Sequence, residues 1–148
     1  MSTYNYILDE LVAYLSTFAS PPLFSALGSG SNFFVGIIPD TPDVVTTLFE
    51  YEGKEPQYVM GNSSLPAITK PHLQVLCRDI TYQNSRDQCE SVVRILEQVT
   101  NQSIKANVSS TPTLYYRIER IQDPFLFHRD SRRRVYFACN MAVQRQPS

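Results

Sequence analysis

Two runs of alternating residues near the C-terminus, separated by a basic linker, constrain this chain more than any other feature. In Val135-Tyr136-Phe137-Ala138-Cys139-Asn140-Met141-Ala142-Val143 the odd positions Val135, Phe137, Cys139, Met141 and Val143 are all large and apolar, while Asn140 and then Gln144 face the other way. A spacing of two is the mark of a strand with one buried face. Leu114-Tyr115-Tyr116-Arg117-Ile118-Glu119-Arg120-Ile121 repeats the pattern, with Leu114, Tyr116 and Ile118 expected inward and Arg117 and Glu119 outward. Between the runs, Asp123-Pro124-Phe125-Leu126-Phe127-His128-Arg129-Asp130-Ser131-Arg132-Arg133-Arg134 opens on a proline that cannot donate to a ladder and closes on three arginines. Pairing is therefore expected to lapse there, leaving a projecting basic loop. With Phe125, Leu126 and Phe127 on it, that loop is expected to touch something besides water.

The rest of the chain supplies further strands and two helices. Thr3 to Phe18 carries Tyr4, Ile7, Leu8, Leu11, Val12, Leu15 and Phe18 three and four apart, an amphipathic helix stopped by Ser20-Pro21-Pro22. Asn32 to Ile38 is an almost continuous apolar run, as in a strand covered on both faces. After a rigid turn at Pro39–Asp43, Val44 to Glu52 places Val45, Phe49 and Tyr51 on one side, and Gly53 ends it. The tight connection predicts a hairpin between these two strands. Lys54 to Lys70, with Pro56, Gly61 and Pro66, reads as a long irregular excursion, a binding segment or a disordered one. Leu73, Val75 and Cys77 mark another strand. Ser85-Arg86-Asp87-Gln88 then fits a capping box, followed by Cys89, Val92, Val93, Leu96 and Val99 at helical spacing. These elements predict an α+β fold in one domain, residues 1–148: a single mixed, mainly antiparallel sheet with two main helices packed on one face. The inward residues of the C-terminal strands should pack on Val92, Val93, Leu96 and Val99.

With 148 residues, 43% of them hydrophobic and 18% charged, the chain can bury roughly two-thirds of its unfolded surface and needs no staples. Cys77, Cys89 and Cys139 form no C-x-x-C pair and are expected as reduced core residues. No apolar run approaches the roughly 20 residues of a membrane span, and Asp9 and Glu10 sit where a signal peptide would be apolar. A cytosolic protein with no membrane contact is expected, in which the N-x-S/T matches at Asn62, Asn101 and Asn107 carry no meaning. Gly28-Ser29-Gly30-Ser31 precedes a strand and lacks a third glycine, so it is no phosphate loop. His72 and His128 lie in different elements, and no His, Cys or carboxylate pair has ligand spacing, so neither metal nor cofactor is expected. Cys139, His128 and Asp130 can be written as a nucleophile, base and orienter. A strand-buried cysteine and a loop histidine make a poor pair, and no enzyme is expected, a small cysteine hydrolase being the alternative of that class.

Charge is unevenly divided. Residues 1–76 hold two basic and seven acidic side chains, for −5, and the remainder eleven and seven, for +4. Either the surface is simply uneven, or the subunit has two ends that meet head to tail, opposite potentials fixing the register. A pI near 6.1, with the arginines gathered in one loop, argues against a dedicated DNA-binding module.

Several segments, in order, carry a resemblance. Gly36-Ile37-Ile38-Pro39-Asp40-Thr41-Pro42-Asp43 is followed by Leu48-Phe49-Glu50-Tyr51-Glu52-Gly53 with Pro56, then Leu73-Gln74-Val75-Leu76-Cys77-Arg78 before a helix. Arg117-Ile118-Glu119, Asp123-Pro124, Arg129-Asp130 and Arg134-Val135-Tyr136-Phe137 complete the set. The chain resembles the phage minor capsid proteins that act as tail terminators, across most of its length, differing at Phe127-His128-Arg129 and in a longer segment around Lys54 to Lys70. The resemblance implies a structural virion protein: a homo-oligomeric ring, usually a hexamer, in the neck. It would be assembled in the host cytoplasm, cap the tail tube protein and face the head connector or head-closure protein, with DNA only passing through the lumen. Another head–tail connector or head-closure component is the alternative. In such a ring the acidic residues Asp40, Asp43, Glu50, Glu52 and Glu55 would meet the basic tip of the next subunit. That tip holds Arg129, Asp130, Arg132, Arg133 and Arg134, and Phe125 and Phe127 would add apolar area. The same arginines could instead solvate the loop or line the lumen.

Overall fold

The computed structural model describes residues 6–17, 32–58 and 67–147. In chain order they form α1 (Ile7–Ser16), β1 (Phe33–Val35), β2 (Val45–Gln57), β3 (Ile68–Asp79), α2 (Tyr82–Glu97), β4 (Thr100–Ile104), β5 (Thr113–Arg120), β6 (Phe125–Arg129) and β7 (Val135–Arg145). The strands make one mixed, mostly antiparallel sheet in the spatial order β1-β2-β3-β7-β5-β4, with β6 beside β7. The fold is α+β, as the sequence implied.

The alternation in β3 and β7 decides the two faces. Leu73, Val75 and Cys77 of β3 and Val135, Phe137, Cys139, Met141 and Val143 of β7 point to one side. There they share a core with Ile7, Leu11 and Leu15 of α1 and Cys89, Val92, Val93 and Leu96 of α2, so both helices cover the same face. Burial of this kind is the main favourable term in folding, at about 25 cal/mol per Å² of apolar surface. The three cysteines are buried free thiols, as expected. On the opposite face Leu76, Tyr136 and Ala138 gather a smaller cluster with Ile38, Phe49 and Phe125.

β5 departs from simple alternation. A register shift falls between Tyr115 and Arg117 where they pair with Arg145 and Gln144 of β7, so Tyr116 is the extra residue of a bulge. Parity changes across it, and Thr113, Tyr115 and Ile118 are buried, while Leu114 and Tyr116 are only half-buried. The expected inward set Leu114, Tyr116 and Ile118 is thus right only at Ile118. Without the bulge, Arg117 would follow Tyr115 into the core. The Tyr115 hydroxyl donates to Glu10 Oε1 at 2.7 Å, and Arg145 Nη1 donates to the same oxygen at 2.7 Å. A polar knot therefore ties fully buried Glu10 of α1 to β5 and β7. Arg120, at the far end of β5, clamps Glu90 (3.1 Å) and Glu97 (2.6 Å) of α2.

Other local expectations are corrected. The second helix starts earlier than its apparent capping box: Thr81 is the N-cap, its hydroxyl accepting from the Asn84 amide at 3.2 Å. Ser85 is instead buried and donates toward the carbonyls of Cys77 (3.1 Å) and Val135 (2.9 Å), and Gln88 donates to Thr46. Their polar atoms fasten helix to sheet. β1 is three residues long, leaves Ile37 59% exposed, and pairs parallel to β2, so the expected hairpin and the fully covered strand are both absent.

Nor does Gly53 end β2. The strand runs on to Gln57 and pairs with β3 as far as Gln57↔Ile68, with register shifts on either side of Lys54, so much of the supposed excursion from Lys54 to Lys70 is irregularly paired strand, residues 59–66 lying outside the described set. Pro71 lacks an amide hydrogen, and pairing on both sides of β3 lapses at it. Opposite, Gly53 lets the two backbones close in, since a Cβ there would sit 2.1 Å from the Lys70 carbonyl oxygen. The first helix begins at Ile7, and the expected positions Tyr4 and Phe18 lie outside the described residues.

Candidate assembly surface

The basic linker does not project as a loop. Phe125–Arg129 forms β6, antiparallel to β7 through Phe125↔Ala138 and Arg129↔Val135, and only a short turn joins them. Asp130 organises that turn, accepting the amides of Arg132 (2.9 Å) and Arg134 (3.0 Å) on one oxygen. Its other oxygen receives Arg134 Nε at 2.7 Å and the Tyr136 hydroxyl at 3.0 Å. Burial by itself would raise this carboxyl's pKa; the amide and guanidinium of Arg134, the Tyr136 hydroxyl and the Arg132 amide outweigh it and hold the value at about 2.

Two buried arginines then pin the segment 40–43 against the sheet's second face. Arg134 donates to the Asp40 carbonyl oxygen at 2.6 Å and to the carboxylates of Asp40 (3.0 Å) and Asp43 (3.3 Å). Arg78 follows Leu76 on the same face of β3 and is only 1% exposed. It donates to the carbonyls of Asp43 (3.1 Å) and Pro42 (2.5 Å) and, at 3.4 Å, to the Tyr136 hydroxyl. Neither arginine's pinning role was read from the sequence. The signal for Arg78 was its even position after Leu76 at the end of a buried strand, where a charge needs partners.

The expected interface residues therefore divide. Asp40, Asp43, Asp130 and Arg132 come together with Arg134 inside one subunit, Arg132 pairing with Asp40 at 3.1 Å. That last pair is more than half exposed on both sides and is worth little by itself. Glu50, Glu52, Arg129 and Arg133 remain exposed, with no ion pair among the described residues. Phe125 is half-buried beneath the second-face cluster, whereas Leu126 is 46% and Phe127 52% exposed.

These exposed residues lie on two open sheet edges. β3 occupies one side of β7, so β5 and β6 share the other, β5 along Met141–Arg145 and β6 along Val135–Ala138. Among the described residues β6 pairs with β7 alone, and no strand there covers its outer edge. At the opposite limit of the sheet, β1 covers β2 only from Thr46 to Leu48. Beyond it the outer edge of β2, from Phe49 to Gln57, has no partner strand among the described residues. It carries exposed Glu50, Tyr51, Glu52, Lys54 and Glu55.

No catalytic arrangement is assembled from the residues that could have formed one. Cys139 faces the helix-side core, its thiol pushed up to about 12 mainly by burial, and donates to the Gln122 carbonyl at 3.2 Å. The His128 ring packs 5.3 Å from that of Tyr136, on the other face of the sheet, and Asp130 is engaged by Arg134. No group of three metal-capable side chains occurs among the described residues, and no helix there is long and apolar enough to cross a membrane.

A family model for the bacteriophage tail terminator protein matches residues 14–146. No curated protein matches the chain.

Proposed function

The chain belongs to the bacteriophage tail terminator family and is therefore a structural protein of the phage tail; from that premise we propose that it closes into a ring, a hexamer, that caps the finished tail tube and presents its other side to the head connector. The match over residues 14–146, nearly the whole chain, carries this reading. Physical features support it. A subunit whose two edges differ in strand and in charge joins head to tail, and such a contact closes into a ring when its rotation divides a full turn. The interior is given over to packing: buried Glu10 is held by Arg145 and Tyr115, Arg134 by Asp40, Asp43 and Asp130, and Arg78 by the carbonyls of Pro42 and Asp43.

The test is purification of the protein, native mass spectrometry, and negative-stain imaging with isolated tail tubes and, separately, with DNA-filled heads. Closed rings seated on tube ends are the expected result. Rings that bind only filled heads would move the protein to the connector side, and a monomer at every concentration, with or without tubes, would end the proposal.

A further inference from the structure

Resting on the ring reading above, we propose that copies of this chain join edge to edge: the open outer edge of β2, from Phe49 to Gln57, pairs with the open outer edge of β6, from Phe125 to Arg129, of the next copy. The sheet of one subunit then continues into its neighbour.

Three observations carry this. First, among the described residues neither edge has a partner strand, so apart from Pro56, which lacks an amide hydrogen, both present backbone groups to which another strand can add. Nature usually blunts such edges; β4 does so here, being five residues long with Thr100 to Ser103 all polar and exposed. β6 is as short and its register shifts between Leu126 and His128, yet its edge is apolar where that of β4 is polar, Leu126 and Phe127 standing about half exposed on it. The edge of β2 likewise displays Tyr51, with Tyr58 beyond its end. Second, the unpaired charges carried by the two edges differ in sign. Glu50, Glu52 and Glu55 against the single Lys54 make the β2 edge acidic, while Arg129 and Arg133 make β6 and its turn basic. Asp40, Asp43 and Asp130 are already satisfied by Arg134, so they do not compete for these groups. Third, the two edges lie at opposite sides of one sheet, so joining them uses a different surface on each partner, as a ring requires. The occupant of each edge is thus a second copy of this chain.

A charge swap tests the pairing. One variant carries Glu50→Lys, Glu52→Lys and Glu55→Lys, making both of its edges basic. The other carries Arg129→Glu and Arg133→Asp, making both acidic; the turn at Arg133 has φ +63°, which Asp tolerates. Circular dichroism and melting first establish that each is folded like the parent. Alone, each variant should lose ring formation by more than about tenfold in low salt, because like charges then face one another. Mixed one to one, they should regain rings of parent mass containing both chains. Parent-sized rings from either variant alone, or two folded monomers that do not rescue one another, would overturn the edge pairing while leaving the ring itself standing. Variant rings that form normally yet no longer seat on tail tubes would assign the β2 edge to the tube and likewise overturn it. A parent that never assembles would remove both readings together.

Discussion

Substituting Tyr115→Phe and Tyr116→Phe separately distinguishes the bulged strand from simple alternation. Tyr115 is fully buried, and its hydroxyl donates at 2.7 Å to Glu10, itself 0% exposed. Burial pushes the phenol's pKa well above its usual range, more than the Arg145 guanidinium pulls it down, so the hydroxyl remains a donor throughout ordinary buffers. Removing it takes one of two donors from Glu10 Oε1, and Oε2 already has no hydrogen-bond partner among the described residues. Hydrogen bonds to charged groups contribute about 1.5–3 kcal/mol, and an under-satisfied buried acceptor costs a similar amount, so Tyr115→Phe should destabilise by about 2 kcal/mol. At this chain length each kcal/mol lowers the melting temperature by roughly 2–4 °C, giving a fall of roughly 4–8 °C. With a urea m-value of about 2 kcal/mol/M, the midpoint should drop by about 1 M. Tyr116 has no such partner among the described residues, and Tyr116→Phe should stay within about 0.5 kcal/mol of the parent. Equal midpoints for the two variants, or a larger loss at Tyr116, would show that the bulge and the burial of Tyr115 are wrongly placed.

Phe137→Ala removes a buried ring from the helix-side core, where it packs edge-on to Tyr82 with centroids 5.0 Å apart, and should cost about 3–5 kcal/mol in urea denaturation. Asp130 has a depressed folded pKa of about 2, so its stabilising effect is complete above the unfolded value near 4 and is lost as pH falls toward 2. Asp130→Asn should therefore be less stable near neutrality and show a shallower acid-unfolding slope between about pH 4 and 2, measured by fluorescence. Gly53→Ala forces a Cβ against the Lys70 carbonyl. It should raise amide exchange in residues 50–57 and 68–72 while core amides stay protected; protection throughout both strands would count against the close approach. In the parent the amides of residues 50–57 and 68–72 should slow on ring formation, and exchange that is the same in monomer and ring would separate this part of β2 and β3 from assembly.

What the sequence determined by itself is whatever a repeat of two or of three and four residues can encode. Val135 to Val143 and Leu73 to Cys77 put a large apolar residue at every odd position, which assigned the helix-side core face, although Leu76, Tyr136 and Ala138 bury part of the other face as well. Cys89, Val92, Val93 and Leu96 sit on one stripe of a helix, so core, helices and fold class followed. The order of several short motifs was also sufficient to bring the tail-terminator family into view. Periodicity fails where the backbone steps out of phase, because inserting one residue at Tyr116 reverses every later side chain and two adjacent tyrosines look alike from either phase. Ser85 and Gln88 match a helix start, yet their polar atoms were needed between helix and sheet, and Thr81 took the cap. The arginine-rich linker read as a free loop because charge suggests exposure. Only the folded sheet shows that Arg134 and Arg78 close on Asp40, Asp43 and the backbone around them, partners distant in sequence that desolvated guanidiniums require. That choice also left Glu50, Glu52, Arg129 and Arg133 exposed on two open edges, a division that depends on which strands lie side by side and that no local pattern in the chain encodes.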